Sequence, residues 1–252
     1  MTANPESEWF GYSRVDPADK TSRVHEVFSS VADKYDLMND LMSGGLHRLW
    51  KDKLVRRMNP QAGQTILDVA GGTGDVALRL AAKTNGEAQI IVCDINPDML
   101  KVGREKALNK GWFGESPIRW VAGNAEALPF EKRSVDRACI AFGLRNVTRI
   151  DTALAEFFRV LKPGGRFFCM EFSPGVRPIL KSAYDAYSFT ALPFLGRVIA
   201  DNEEAYRYLA ESIRQFPDQP TLAARMKKVG FEQVQWTNIM GGIAAIHEGW
   251  KL

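Results

Sequence analysis

The stretch Asp68-Val69-Ala70-Gly71-Gly72-Thr73-Gly74, followed about twenty residues later by Asp94, decides how this chain is read. Before it, Gln64 to Ala70 forms a short apolar run that reads as a buried strand. After it, Asp75 to Lys83 reads as a helix. A glycine turn between strand and helix lets a ligand approach the backbone and aims the helix's first amides at it. Gln89 to Asp94 reads as a second buried strand. A carboxylate at its end can accept both hydroxyls of a ribose, in the crevice where open parallel sheets bind ligands. The glycines stand at 71, 72 and 74, so the dinucleotide fingerprint G-x-G-x-x-G is not met. No Lys-Ser or Lys-Thr follows the turn, which excludes a phosphate-binding P-loop. No Tyr-x-x-x-Lys occurs, which argues against a short-chain reductase.

Outward from the turn, strands and helices alternate. Asn96-Pro97-Asp98 starts a helix, with Asn96 as N-cap and Pro97 in the first turn, and it runs to about Lys110. Ile118 to Ala122 and Val135 to Phe142 read as strands. Asp151 to Leu161 reads as a helix, stopped by Lys162-Pro163-Gly164-Gly165, and Arg166 to Phe172 as a fifth strand. Thr221 to Val229 is helical; Phe231 to Ile239 and Gly242 to His247 could pair as a hairpin. This order predicts an α/β fold with a doubly wound, parallel sheet and right-handed crossovers. Residues 1 to about 20 read as a loose leader. Thr21 to Met58 carries two helical apolar sets separated by Gly44-Gly45. The expected organisation is a leader and helical lid over 1–58 and one domain over 59–252, with a helical insertion around 176–216.

Composition narrows the classes. The 252 residues are 45% hydrophobic and 25% charged, ordinary for a globular protein, and the net charge of +3 is too small to argue for nucleic acid. There is no signal-peptide pattern and no apolar run long enough to span a membrane, so a cytoplasmic location is the default expectation. Cys93, Cys139 and Cys169 each fall inside a strand-like run, and with His25, His47 and His247 scattered, no metal site is expected.

The motifs resemble those of class I S-adenosylmethionine (SAM)-dependent methyltransferases. Asp68, Gly72 and Gly74 match the first motif, with Ala70 in place of a usual glycine, and Asp94 matches the ribose acid. Gly123 to Phe130 resembles the segment beside the adenine, and Leu161 to Arg166 the turn before the fifth strand. Two further stretches, Tyr35 to Trp50 and Phe142-Gly143-Leu144-Arg145-Asn146-Val147, are similar to the ubiquinone/menaquinone biosynthesis C-methyltransferase family. Tyr184 to Ser188 and Tyr206 to Ile213 agree with it, and the resemblance covers nearly the whole chain. It implies a Rossmann-like fold with a mostly parallel seven-stranded sheet, helices on both faces and an N-terminal helical lid. It implies SAM as methyl donor, contacted at Thr73, Asp94, Asn124 and Ala125; the glycine turn adds Gly71. Many members have Ser where this chain has Ala141, which removes a polar contact at that position.

The implied substrate is a polyprenylated quinol that gains a methyl group on a ring carbon. Ring carbon becomes nucleophilic when an adjacent hydroxyl loses its proton, so the reduced quinol should react and the quinone should not. Arg145 is the candidate to stabilise the phenolate by charge, with a structural ion pair as its alternative. Asn146 is the candidate to hold a water or the hydroxyl, with a turn or cap as its alternative. Tyr35, Asn39 and His47 are further polar candidates on the lid. The apolar run 184–199 could hold the polyprenyl tail, pack on the core or meet a second subunit. Peripheral membrane contact, a homodimer and association with other quinone-biosynthesis enzymes stay open. So do three alternative functions: another small-molecule O- or N-methyltransferase, a SAM-binding assembly subunit without turnover, and, less favoured, a nucleic-acid methyltransferase.

Overall fold

The protein is described from a computed structural model covering residues 8–30, 40, 43–113, 116–175 and 203–252. A hairpin of β1 (Glu8–Phe10) and β2 (Ser13–Val15) leads into α1 (Pro17–Ser30). Then come α2 (Leu46–Met58), β3 (Thr65–Val69), α3 (Asp75–Lys83), β4 (Gln89–Asp94), α4 (Pro97–Asn109), β5 (Ile118–Ala122) and β6 (Val135–Ala141). A short 3-10 turn (Leu144–Asn146) precedes α5 (Ile150–Val160) and β7 (Leu161–Phe172). The chain closes with α6 (Glu203–Gln215), α7 (Gln219–Val229), β8 (Glu232–Ile239) and β9 (Ala244–Lys251).

The main sheet has seven strands in the order β5-β4-β3-β6-β7-β9-β8. The first five are parallel, and β9 runs antiparallel to both β7 and β8. Strand order reverses at β3, whose neighbours are β4 and β6, so the ends of these three strands define the switch point where such sheets bind ligands. Side chains alternate between faces as the pleat demands. Ile66, Ile90 and Phe168 enter the core beneath α2, α3 and α4, while Leu67, Ile91 and Phe167 enter the core beneath α5 and α7. All three cysteines are free and buried, in β4, β6 and β7.

Most sequence-derived boundaries hold to within two residues, and Asn96 does cap α4, accepting from the backbone N–H of Asp98 and of Met99. Three expectations change. The leader is not loose throughout, because residues 8–15 form a hairpin whose Tyr12 N–H donates to Glu211 on α6 at 3.0 Å. The Lys162–Gly165 turn does not precede the fifth strand but bulges from it: Leu161 pairs with Val135 and Arg166 with Arg137. The last strand extends to Lys251. Residues 176–202, which include the 184–199 apolar run, lie outside the described residues. Among the described residues no helix is long and apolar enough to cross a membrane.

One buried carboxylate ties α2 to the sheet. Glu248 on β9 accepts from Arg57 of α2 at 2.8 and 2.9 Å, from Arg166 of β7 at 3.0 Å, and from Gln235 of β8. Its side chain is 2% exposed, whereas Arg57 keeps 30% and Arg166 17%. Removing the acid strands two cations in a poorly solvated corner. Glu248→Leu is therefore expected to lower unfolding stability by about 3 kcal/mol, measured as the shift of the urea midpoint. A change no larger than that of a surface substitution would refute this role.

Candidate active site

The site grows from the carboxyl ends of β3, β4 and β6. Asp94, the last residue of β4, accepts from the Gly72 N–H at 2.8 Å through one oxygen and from the Asn96 N–H at 2.9 Å through the other. The glycine turn and the start of α4 are thus fastened to one carboxylate. Gly71 passes so close to its neighbours that a Cβ there would lie 2.8 Å from Val92 Cγ1 and 3.0 Å from Asp68 Oδ2. Gly74 takes φ +74°, which lets α3 start abruptly.

Of the non-glycine residues with left-handed backbone, two stand at this site: Ala70 (φ +50°) after β3 and Phe142 (φ +60°) after β6. Both line the same cavity. A conformation that L side chains adopt at a cost, paired on adjacent central strands, is characteristic of functional sites. Phe142 is held by Trp50 and Phe172, with ring centroids 6.3 and 4.8 Å away.

The cavity is lined among the described residues by Asp94, Ile95, Asn96 and Met99 on one side and by Gly123, Asn124, Ala125 and Glu126 on another. Phe142, Gly143, Asn146, Val147 and Thr148 form a third wall, while Thr21 and Val24 of α1 complete it. Helix α1 bridges the opening. At one rim Asn96 Nδ2 donates to Ser29 Oγ at 2.9 Å; at the other, Lys20 Nζ donates to the Val147 carbonyl at 3.1 Å and the Thr21 and Thr148 hydroxyls meet at 3.3 Å.

Of the cofactor positions expected from sequence, Asp94, Asn124 and Ala125 line the cavity. Asn124 also closes its own turn, accepting from the Glu126 N–H at 2.9 Å. Gly71 and Thr73 do not appear in that wall. Thr73 is buried, and its hydroxyl accepts from Lys106 of α4 at 2.9 Å, so its side chain points toward the helix layer. Asp68 lies under the glycine turn. One of its oxygens accepts from the Cys139 thiol at 3.4 Å, and the other has no partner among the described residues. Burial, with a smaller push from Asp94, raises its pKa to about 7 against the pull of Cys139 and Lys51.

The acceptor-side candidates separate. Asn146 lines the cavity. Arg145, beside it in the 3-10 turn, points away: its guanidinium donates to Glu171 at 2.6 Å and to the Phe142 carbonyl at 2.6 Å. Both side chains of the ion pair are almost fully buried, and burial raises the Glu171 pKa against the arginine's pull. The charge expected to face a phenolate is thus paired with a carboxylate that the sequence reading did not single out. His47 does not reach the cavity wall either; it is buried, with Nε2 2.8 Å from Asp40. Tyr35 and Asn39 lie outside the described residues. Sequence reasoning missed Glu171, Tyr208 and the α1 contacts, although Tyr208 stood inside a stretch already quoted for its resemblance.

Arg145→Ala leaves Glu171 buried without its cation and is expected to cost about 3–5 kcal/mol in chemical denaturation. Replacing both partners by Met should recover most of that loss. A single variant as stable as the parent would show that the pair does not hold the turn.

The fold is shared with solved structures of low identity. A SAM-dependent methyltransferase of Thermotoga maritima, described as a possible histamine N-methyltransferase, matches with a TM-score of 0.65 at 18% identity, over 90% of this chain and 99% of that one. The [4+2]-cyclase SpnF matches with a TM-score of 0.67 at 16% identity, over 92% and 96%. A fold that also carries a cyclase does not specify an activity. Sequence relatives narrow it. The mitochondrial 2-methoxy-6-polyprenyl-1,4-benzoquinol methylase of Oryza sativa subsp. japonica is 50% identical over 258 residues, covering 96% of this chain and 88% of that protein. The ubiquinone/menaquinone biosynthesis C-methyltransferase UbiE of Brucella suis is 51% identical over 245 residues, covering 96% and 90%. The family model matches residues 17–251, and the chain belongs to the ubiE/COQ5 methyltransferase family.

Proposed function

We propose that this chain is a SAM-dependent C-methyltransferase that methylates a ring carbon of a polyprenylated quinol. The acceptor is demethylmenaquinol, 2-methoxy-6-polyprenyl-1,4-benzoquinol, or both. The observation that carries the reading is one cavity at the switch point with the Asp94 carboxylate on one wall and the Asn146 carboxamide on another.

The residues present fit SAM. Asp94 places an oriented carboxylate in the cavity wall, suited to a ribose diol. Ile95, Met99 and Ala125 supply apolar surface for a purine, with Asn124 at its edge. The unpartnered Asp68 oxygen beneath Gly71 is an acceptor for an ammonium group. When bound, SAM supplies a methyl group on a positively charged sulfur.

The remaining chemistry belongs to the acceptor and to this chain. A quinol hydroxyl has a pKa near that of tyrosine, about 10. Once its proton passes to water, density moves onto the ortho carbon, and that carbon can form the new C–C bond while the methyl–sulfur bond would break and leave its electron pair on sulfur. The proton left on the same carbon then passes to water and aromaticity returns. Asn146 is the described polar side chain suited to meet the hydroxyl oxygen. Arg145 acts behind it, holding the 3-10 turn to β7 through Glu171. Helix α1, tied at both rims, covers the reacting groups and limits water.

Methyl transfer from labelled SAM to short-tailed forms of both quinols, offered reduced and oxidised, tests this reading. Carbon-bound methyl is expected with the reduced forms alone. Transfer to oxygen, or equal transfer to the quinones, would refute it.

Asp68 generates a second expectation. A cation beside its carboxylate favours the ionised form, whereas the free protein holds the group protonated below about pH 7. SAM affinity should therefore weaken as pH falls from about 7 toward 6, by at most about tenfold per unit, with proton release on binding seen by calorimetry in two buffers. Asp68→Asn should abolish that acid-side loss. An identical acid limb in the variant would exclude Asp68 as its source.

A further inference from the structure

We propose that Tyr208 is a positioning residue that fixes the Asn146 carboxamide as a hydrogen-bond donor toward the acceptor-ring oxygen, an inference that rests on the quinol reading above. The Tyr208 hydroxyl reaches across from α6 and donates to Asn146 Oδ1 at 3.0 Å. The opposite amide orientation would place Nδ2 against that hydroxyl and leave the phenol proton of Tyr208, a residue only 6% exposed, without an acceptor. Losing a buried hydrogen bond in that way is unfavourable, so the orientation is set. Asn146 Nδ2 has no partner among the described residues, and Asn146 lines the cavity. The amide hydrogens are thereby reserved for a ligand atom that accepts.

The tyrosine is itself well held. Its ring stacks on Phe10 of β1, with centroids 4.3 Å apart and planes 20° from parallel. The hairpin that carries Phe10 is in turn tied to α6 by Tyr12 and Glu211. Burial raises the Tyr208 pKa; Arg145 opposes the rise and Glu171 adds to it, so the phenol stays protonated and remains a donor. A neutral donor favours an ionised oxygen over a hydroxyl, because hydrogen bonds to a charged acceptor are the stronger. Asn146 would therefore lower the pKa of the bound quinol, and Tyr208 would act through it without touching substrate.

The test uses the full chain and the quinol found active in the transfer assay. Tyr208→Phe is expected to lower kcat by about tenfold, with KM and SAM affinity unchanged. The acid limb of its kcat–pH profile should move to higher pH, since the bound quinol ionises less readily. Asn146→Asp keeps an acceptor for Tyr208 but has no amide hydrogens, and it should lower kcat by at least about a hundredfold. Should Tyr208→Phe fail to fold in a thermal melt, Asn146→Asp decides. Wild-type kcat with an unmoved pH limb in Tyr208→Phe, or near-normal kcat in Asn146→Asp, overturns the inference while the quinol reading stands. A parent enzyme that methylates no quinol overturns both.

Discussion

The Asp94 carboxylate is the constraint on which the site depends. By accepting from Gly72 and Asn96 it joins the loop after β3 to the loop after β4. The contact requires β3 and β4 to be parallel neighbours with their ends level, and the register provides this by placing Asp68 opposite Val92 and Val69 opposite Cys93. It also requires glycine at the turn, because the space above Asp68 does not admit a Cβ. Once the two loops are joined, the same carboxylate is held in one orientation at the cavity wall before a ligand arrives. Preorganisation of this kind removes part of the ordering cost of binding.

Backbone strain and buried charge follow from the same architecture. Ala70 and Phe142 turn the chain sharply at the ends of β3 and β6, and neither is a residue that favours left-handed backbone. The sheet compensates from below, through the ladder between those strands and the packing of Phe142 against Trp50 and Phe172. Gly143 belongs to this arrangement, since a Cβ there would press on Ala70. Directly behind the strained turn, Arg145 and Glu171 neutralise each other in a dry environment. A paired guanidinium is a poor proton acceptor and a weak field source for the cavity. Asn146 lines the cavity, and the ionic pair supports the turn that carries it.

The N-terminal elements divide their work. Helix α2 contributes Trp50, Leu54, Val55 and Met58 to the same core as the sheet, and through Arg57 it is anchored to Glu248. Helix α1 meets the cavity rims through Lys20, which donates to the Val147 carbonyl, through the Thr21–Thr148 hydroxyl pair, and through Ser29, which accepts from Asn96.

Much of this was legible in the sequence, for reasons that are local. Buried parallel strands are continuous apolar runs, so Gln89–Asp94 and Ile118–Ala122 could be bounded to the residue; Asn96-Pro97 announces a helix start by its own chemistry. The acid at the end of β4 follows from spacing alone, because one crossover separates it from the glycine turn. The hairpin at residues 8–15 was hidden because two three-residue strands leave no period to detect. What only the tertiary structure decided is which groups meet. Arg145 and Asn146 are neighbours in the chain and equivalent as polar candidates, yet one is paired with Glu171 and the other faces the cavity, touched from behind by Tyr208. Those partners lie 26 and 62 residues away along the chain. Hydrogen bonds and ion pairs act over a few ångströms of space, not over sequence distance, so only the fold could tell the two apart.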